Sequence, residues 1–292
     1  MNENITIPAI PSFSDQQLIV DVLRLDHIHP IVSGNKWFKL KYYIQYAKSN
    51  QMDTIASFGG PFSNHLVALA YAAKQENLKS IGYVRANKTE PLTPTLQEAM
   101  KYGMDLQYLG RSNFQFLKNE LLQKTISKNI YFVDEGGYGA LGAKGASSIL
   151  NKDKTIKYTH IFGAVGTGTM LAGLINASTP SQEIIGITVL KNEASIGKEI
   201  TQLLNYKETS FTLLHDFHLG GYAKTTPAQF DFMNQLWRTE KIPTDIVYTS
   251  KMFMAVHTLI QQKYFSPTDK ILMIHSGGLQ GNRSLPSGTL LF

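Results

Sequence analysis

Short apolar, β-branched runs alternate with helix-like segments along most of this chain, and that alternation restricts its fold more than any other feature. Residues 54–58, 80–84, 105–109, 130–133, 160–162, 183–189 and 271–274 read as strands. Between them, residues 66–75, 93–102 and 168–177 carry apolar side chains at helical spacing. Alternation of this kind predicts βαβ units, a mainly parallel sheet and an α/β fold class. In open α/β sheets ligands sit beyond the carboxyl ends of the strands, so the residues that follow each strand deserve the closest reading.

Composition narrows the chemistry. Cysteine is absent, which removes disulfides, thiolate nucleophiles and cysteine-held metals. The formal net charge is +6, carried mostly by lysine without a dense basic block, so an anionic cofactor or substrate explains it better than nucleic acid. No run of about 18 apolar residues is present, and the first eleven residues lack a charged segment leading into an apolar one. A soluble cytoplasmic protein that binds neither membrane nor nucleic acid is the expectation.

Six segments stand out. In Ser33-Gly34-Asn35-Lys36, the Gly-Asn pair makes a turn, and Trp37, Leu40, Ile44 and Ala47 then recur at helical spacing. Lys36 falls in the first turn, away from that stripe, where the helix dipole disfavours a cation and lowers the amine's pKa. That suits an amine acting on a carbonyl; a solvated lysine beside Lys39, Lys41 and Lys48 is the ordinary alternative. Gly59-Gly60-Pro61-Phe62-Ser63-Asn64-His65 joins a strand to a helix, and backbone N–H groups there can hold a carboxylate. The plainer reading is a Ser/Asn cap with a structural His65. Gly163-Ala164-Val165-Gly166-Thr167-Gly168-Thr169 opens the 168–177 helix with small residues and hydroxyls suited to a phosphate. It lacks both the P-loop ending and the dinucleotide glycine spacing. Asp245 to Lys251 leads into another helix, with Tyr248 suited to stack on a flat ring and Thr249 to hydrogen-bond it. Ser276, after the last strand, offers a second hydroxyl, and Gly220-Gly221-Tyr222 a further loop tyrosine.

Taken in order, these segments resemble the tryptophan-synthase-β-type (fold type II) pyridoxal-phosphate enzymes, and within them the branch of 1-aminocyclopropane-1-carboxylate deaminase and D-cysteine desulfhydrase. Gly34-Asn35-Lys36 with Lys39-Leu40 is similar to the cofactor-lysine motif, and Gly60 with Ser63-Asn64-His65 to the substrate-carboxylate segment. Glu135-Gly136-Gly137 with Gly142 and Gly145 resembles a glycine segment ahead of the phosphate loop, and Gly166-Thr167-Gly168-Thr169 that loop. Tyr248 with Lys251, and His275 with Gly277-Gly278, resemble the remaining two.

The resemblance implies two three-layer α/β/α domains with mainly parallel sheets, the smaller (39–148) inserted in the larger (1–38 and 149–292). It implies pyridoxal 5′-phosphate on Lys36, its phosphate held by Val165, Gly166, Thr167, Gly168 and Thr169, and its ring near Tyr248, Thr249 and Ser276. Asn64 would touch the ring oxygen or the substrate carboxylate. Ser63, His65 and Tyr222 would line the substrate side, with Lys36, Ser63, Tyr222 and Tyr248 as the catalytic set. The implied activity is an amino-acid lyase or deaminase in a homodimer, acting on a small amino acid and releasing ammonia and a 2-oxo acid by α,β-elimination. Two positions depart from the branch: Thr249 stands where the deaminase has glutamate, and Phe62 where the branch has glutamine. A hydroxyl in place of the carboxylate favours simple elimination, as in the desulfhydrase, over cyclopropane opening. A non-catalytic cofactor or amino-acid binder is the alternative that Phe62 motivates.

Overall fold

The computed structural model describes residues 5–14, 18–123, 129–191 and 194–292. Among the described residues, nine strands form two fully parallel sheets. β1 (Ile19–Arg24), β6 (His160–Val165), β7 (Glu183–Thr188), β8 (Thr212–Leu214) and β9 (Lys270–His275) make a five-stranded sheet in the order β1-β9-β6-β7-β8. β2 (Thr54–Gly59), β3 (Lys79–Val84), β4 (Met104–Tyr108) and β5 (Ile130–Val133) make a four-stranded sheet in the order β4-β3-β2-β5. Each of the seven expected strands coincides with an observed one; β1 and β8 were not expected and lie at the two edges of the larger sheet.

The helices are α1 (Asn35–Ser49), α2 (Asn64–Gln75), α3 (Pro94–Lys101), α4 (Phe114–Gln123), α5 (Ala140–Ser147), α6 (Lys152–Thr155), α7 (Thr169–Ala177), α8 (Ile196–Gln202), α9 (Pro227–Glu240) and α10 (Thr249–Gln261). Successive strand residues face opposite sides, and helices cover both. On the larger sheet Phe162, Ile185, Ile271 and Met273 pack with Met233 of α9 and Phe253 of α10. Ile161, Ile184, Leu272 and Ile274 pack on the other face with Ala143 of α5 and Leu171 and Leu174 of α7. On the smaller sheet Ile55 and Val133 meet α1, α2 and α3, while Ala56, Phe58 and Phe132 meet Phe114 of α4. Two α/β domains, each helix–sheet–helix, result. Among the described residues no helix is long and apolar enough to cross a membrane.

α1 ties the two layers of chemistry together. Its Phe38 enters the core of the larger domain, while Leu40, Tyr43 and Ile44 enter that of the smaller. The helix therefore spans the junction of the domains, and its first turn, with Lys36, opens where the carboxyl ends of both sheets converge.

Candidate active site

The start of α1 is zipped to the end of β9. Gly34 sits at φ +66°, and a Cβ there would fall 1.8 Å from the Ser276 carbonyl oxygen, so only glycine fits. The Asn35 backbone N–H donates to that same oxygen at 3.1 Å, and the Asn35 amide reaches it at 3.3 Å. Asn35 Oδ1 in turn accepts from Lys36 Nζ at 2.9 Å. Burial pulls the Lys36 amine down to about 8, with the Asp245 carboxylate opposing the shift. The direction is the one the sequence predicts, and desolvation is its largest cause.

Lys36 lines a cavity with Lys39, Asn64, Gly136, Gly166, Thr167, Gly168, Tyr248, Ser276 and Gln280 among its walls. Most of the expected cofactor set therefore meets in one place, although the cavity gathers residues as far apart in the chain as Ile31 and Gln280. In the sequence Lys39 stands out only as part of the cofactor-lysine motif. It is buried and donates to the Gly136 carbonyl at 2.8 Å, and burial together with the charge of Lys36 holds its pKa well below the usual lysine range.

After β2, the Ser63 hydroxyl oxygen caps α2 by accepting from Leu66 N–H at 3.3 Å. Asn64 Nδ2 donates to the Gly278 carbonyl at 3.0 Å, which leaves its buried Oδ1 without a hydrogen-bond partner. His65 is buried and turned away from the cavity walls, with Nε2 2.8 Å from the Ser57 hydroxyl. Burial, then the charges of Lys36 and Lys39, depresses its pKa well below the usual imidazole value, so it is neutral.

After β6, Gly166 lies against Tyr248: a Cβ would stand 3.0 Å from that ring. Thr167 and Thr169 bring their hydroxyls within 3.1 Å of each other, and α7 starts without a side-chain cap. Val165 sends its side chain into the core, so only its backbone is available to a ligand.

α10 begins on a buried carboxylate. Asp245 Oδ2 accepts from the N–H groups of Val247 and Tyr248 at 2.8 and 2.9 Å, and Oδ1 from Thr249 N–H at 2.8 Å. The Thr249 hydroxyl donates to the same Oδ1 and accepts from Asp245 N–H, both at 2.7 Å. Thr249 is thus fully committed to the cap and is absent from the cavity walls, where Ser276 stands instead. Burial, then Tyr222, pushes the Tyr248 hydroxyl well above the usual range. Tyr222 itself is exposed, and its ring meets that of Tyr248 edge-on at 6.3 Å. Ser63, His65 and Tyr222 flank the cavity rather than line it. Sequence reading missed Asp245, although an aspartate just ahead of an apolar helical run is a capping signal.

These residues suit pyridoxal phosphate. An uncapped helix start, the Thr167 hydroxyl backed by that of the buried Thr169, and the buried Lys39 amine offer donors to a phosphate. The unpartnered Asn64 Oδ1 offers an acceptor to a ring hydroxyl or an ammonium, Tyr248 offers a flat wall, and Lys36 a partly deprotonated amine. Fold and site together define a two-domain α/β protein with the half-buried Lys36 at the interdomain cleft.

The chain belongs to the pyridoxal-phosphate dependent enzyme family, which it matches over residues 9–277. It is 28% identical over 86% of its length to 81% of a Pyrococcus horikoshii protein provisionally named 1-aminocyclopropane-1-carboxylate deaminase. It is 26% identical, over 92% of its length and 90% of the relative's, to the D-cysteine desulfhydrase of Salmonella typhi. The crystal structure of an ACC deaminase homologue superposes with a TM-score of 0.80 at 26% identity, covering 95% of this chain and 90% of the other. A pyridoxal-phosphate-dependent aspartate racemase shares the fold at 14% identity, with a TM-score of 0.70 over 94% and 90% of the two chains. The expected fold type and cofactor are those of the family.

Proposed function

We propose that this enzyme degrades a small amino acid by α,β-elimination, as a D-cysteine desulfhydrase does, releasing ammonia and a 2-oxo acid. The observation that carries the reading is Lys36: an amine at about 8, in one cavity with the Thr167 hydroxyl and the unpartnered Asn64 oxygen. When bound, pyridoxal phosphate supplies the electron sink for charge left on the substrate Cα. Lys36 holds the cofactor, then takes the Cα proton; a pKa near the working pH suits that transfer. The first turn of α2 holds the substrate carboxylate on its N–H groups, with the Ser63 hydroxyl beside the reacting carbons. Thr167, Thr169, Lys39 and the backbone from Val165 to Gly168 hold the phosphate, Tyr248 walls the ring, and Tyr222 closes the substrate side. In the overall reaction the Cα–H and Cβ–X bonds break, the departing group keeps the Cβ–X electron pair, and water turns the released enamine into 2-oxo acid and ammonium.

The names of several relatives favour a second reading, opening of 1-aminocyclopropane-1-carboxylate. Against it, position 249 presents no carboxylate to the ring, and its hydroxyl is held by Asp245. The proposal includes a cytoplasmic homodimer with a small domain at 39–148. Holoenzyme incubated with D-cysteine, β-chloro-D-alanine and the cyclopropane amino acid tests the chemistry. Pyruvate and ammonia from the first two are expected. 2-Oxobutyrate as the dominant product would replace elimination with ring opening. Binding without any product would leave a carrier or sensor.

A further inference from the structure

Beside the cavity, at the carboxyl ends of β3 and β5, stands a charge pair that the proposed elimination does not use. Strands β3 and β5 flank β2 on its two sides. Arg85 immediately follows β3 and Glu135 stands two residues past β5, so the two side chains straddle the turn that leads from β2 to Ser63 and Asn64. The Arg85 N–H donates to the Gly59 carbonyl at 2.9 Å, and Arg85 Nη2 lies 3.8 Å from where a Cβ on Gly60 would be. On the inner side, Gly136, next to Glu135, is part of the cavity wall. The charges of both Arg85 and Glu135 act on Tyr222, and that of Glu135 on Tyr248. The pair therefore bears on the side of the cavity that Tyr248 walls, next to the turn that carries Ser63 and Asn64.

Its geometry is that of an open pair. Arg85 Nη2 and Glu135 Oε1 are 3.9 Å apart, beyond hydrogen-bond reach, with side chains 47% and 30% exposed. The guanidinium rests 5.4 Å from the Phe114 ring centre, within cation–π range. Among the described residues neither side chain makes a hydrogen bond. By contrast, Arg111 and Glu90 close to 2.7 Å on the same domain's surface. A ligand carboxylate fits the Arg85 fork and a ligand ammonium fits Glu135. A tail bearing only one of those charges would meet a like charge from the other member of the pair.

We propose that Arg85 and Glu135 select substrates whose β-substituent ends in its own ammonium–carboxylate pair, as in a bis-amino-acid thioether. This rests on the elimination reading. With such a substrate the Cβ–S bond breaks, and the second amino acid leaves as a thiolate with the electron pair and then takes up a proton.

The test uses holoenzyme and four compounds in both enantiomeric series: β-chloroalanine, S-carboxymethylcysteine, S-aminoethylcysteine and lanthionine. These carry no tail charge, an anionic, a cationic and a zwitterionic tail. Lanthionine is expected to exceed both singly charged thioethers in kcat/KM by about tenfold or more, the yield of one charge-assisted contact. Arg85→Gln should shift preference toward the aminoethyl compound and Glu135→Gln toward the carboxymethyl compound. Opposite shifts are something a merely structural pair would not give. Calorimetric binding of the same compounds reads the same ratios where turnover is missing, which separates this proposal from the elimination reading. Tail-blind binding or turnover, shifts in one direction for both variants, or failure to bind any of the four would overturn it.

Discussion

The first turns of α1 and α10 look alike by their charges and differ in what they do with them. Each carries a lysine, Lys36 or Lys251, that burial brings down to about 8 while the Asp245 carboxylate opposes the shift. Lys251 is fully buried and donates to the carbonyls of His218 and Gly221 at 2.8 and 2.7 Å, so its amine pins the loop that presents Tyr222. Among the described residues the Lys36 amine donates only to its neighbour Asn35, and it lines the cavity. A depressed lysine pKa marks burial; the partners of the amine, and the space in front of it, separate the cofactor lysine from the structural one. The two turns are also capped in opposite ways. α10 starts on the Asp245 carboxylate, whereas α1 starts on Gly34, whose lack of a side chain lets the turn press against Ser276.

The comparison breaks most readily at Lys36. Lys36→Ala should lower kcat/KM for an eliminated amino acid on the order of 10³-fold or more and remove the yellow colour of the lysine-bound cofactor, with the fold retained by circular dichroism. The equivalent change at Lys251 should leave that colour in place; if it vanishes there too, the division of roles is wrong. Next in size, Gly34→Ala should destabilise the protein by about 3 kcal/mol in denaturant titration, because the new methyl group collides with backbone rather than a flexible side chain. Lys251→Met leaves two loop carbonyls without their donor and should lose about 1–3 kcal/mol. Its kinetic signature should be a raised KM through Tyr222, more than a lowered kcat.

The smallest effect is a slope against pH. In the cofactor-free protein the folded lysines release their protons near 8, while the unfolded chain keeps them to about 10.5. Between those values the unfolded state binds more protons, so these two groups make stability rise with pH across that window. Lys36→Met and Lys251→Met should each reduce the rise by up to about 1.4 kcal/mol per pH unit. Equal slopes for wild type and both variants would show that neither amine is buried as described.

Much of the fold was legible because alternating apolar runs declare strands locally. β1 escaped notice although its sequence, Ile-Val-Asp-Val-Leu-Arg, is strand-like, and what secures its polar Asp21 is the Tyr158 hydroxyl at 2.6 Å, 137 positions away. β8 is three residues long and half-buried, too short for any period to register. In the site, Lys36, Asn64 and the Gly166–Thr169 turn were legible through glycines and hydroxyls at strand ends. The place of Thr249 beside Tyr248 suggests a ring partner, but the direction of its hydroxyl is set by Asp245. Lys39 and Glu135 were visible within motifs, yet nothing local distinguishes a buried amine from a solvated one or a carboxylate beside the cavity from a surface one.

By itself, then, the order of residues determined which segments become strands and helices, where the backbone turns tightly, and that a lysine opens a helix after a Gly-Asn turn, since all of these depend on neighbours a few positions apart. Tertiary structure alone decided which amine faces the cavity, which is locked onto carbonyls, and which hydroxyl is left for a ligand. Those outcomes depend on desolvation and on hydrogen bonds between residues as much as 241 positions apart, such as Asn35 to Ser276.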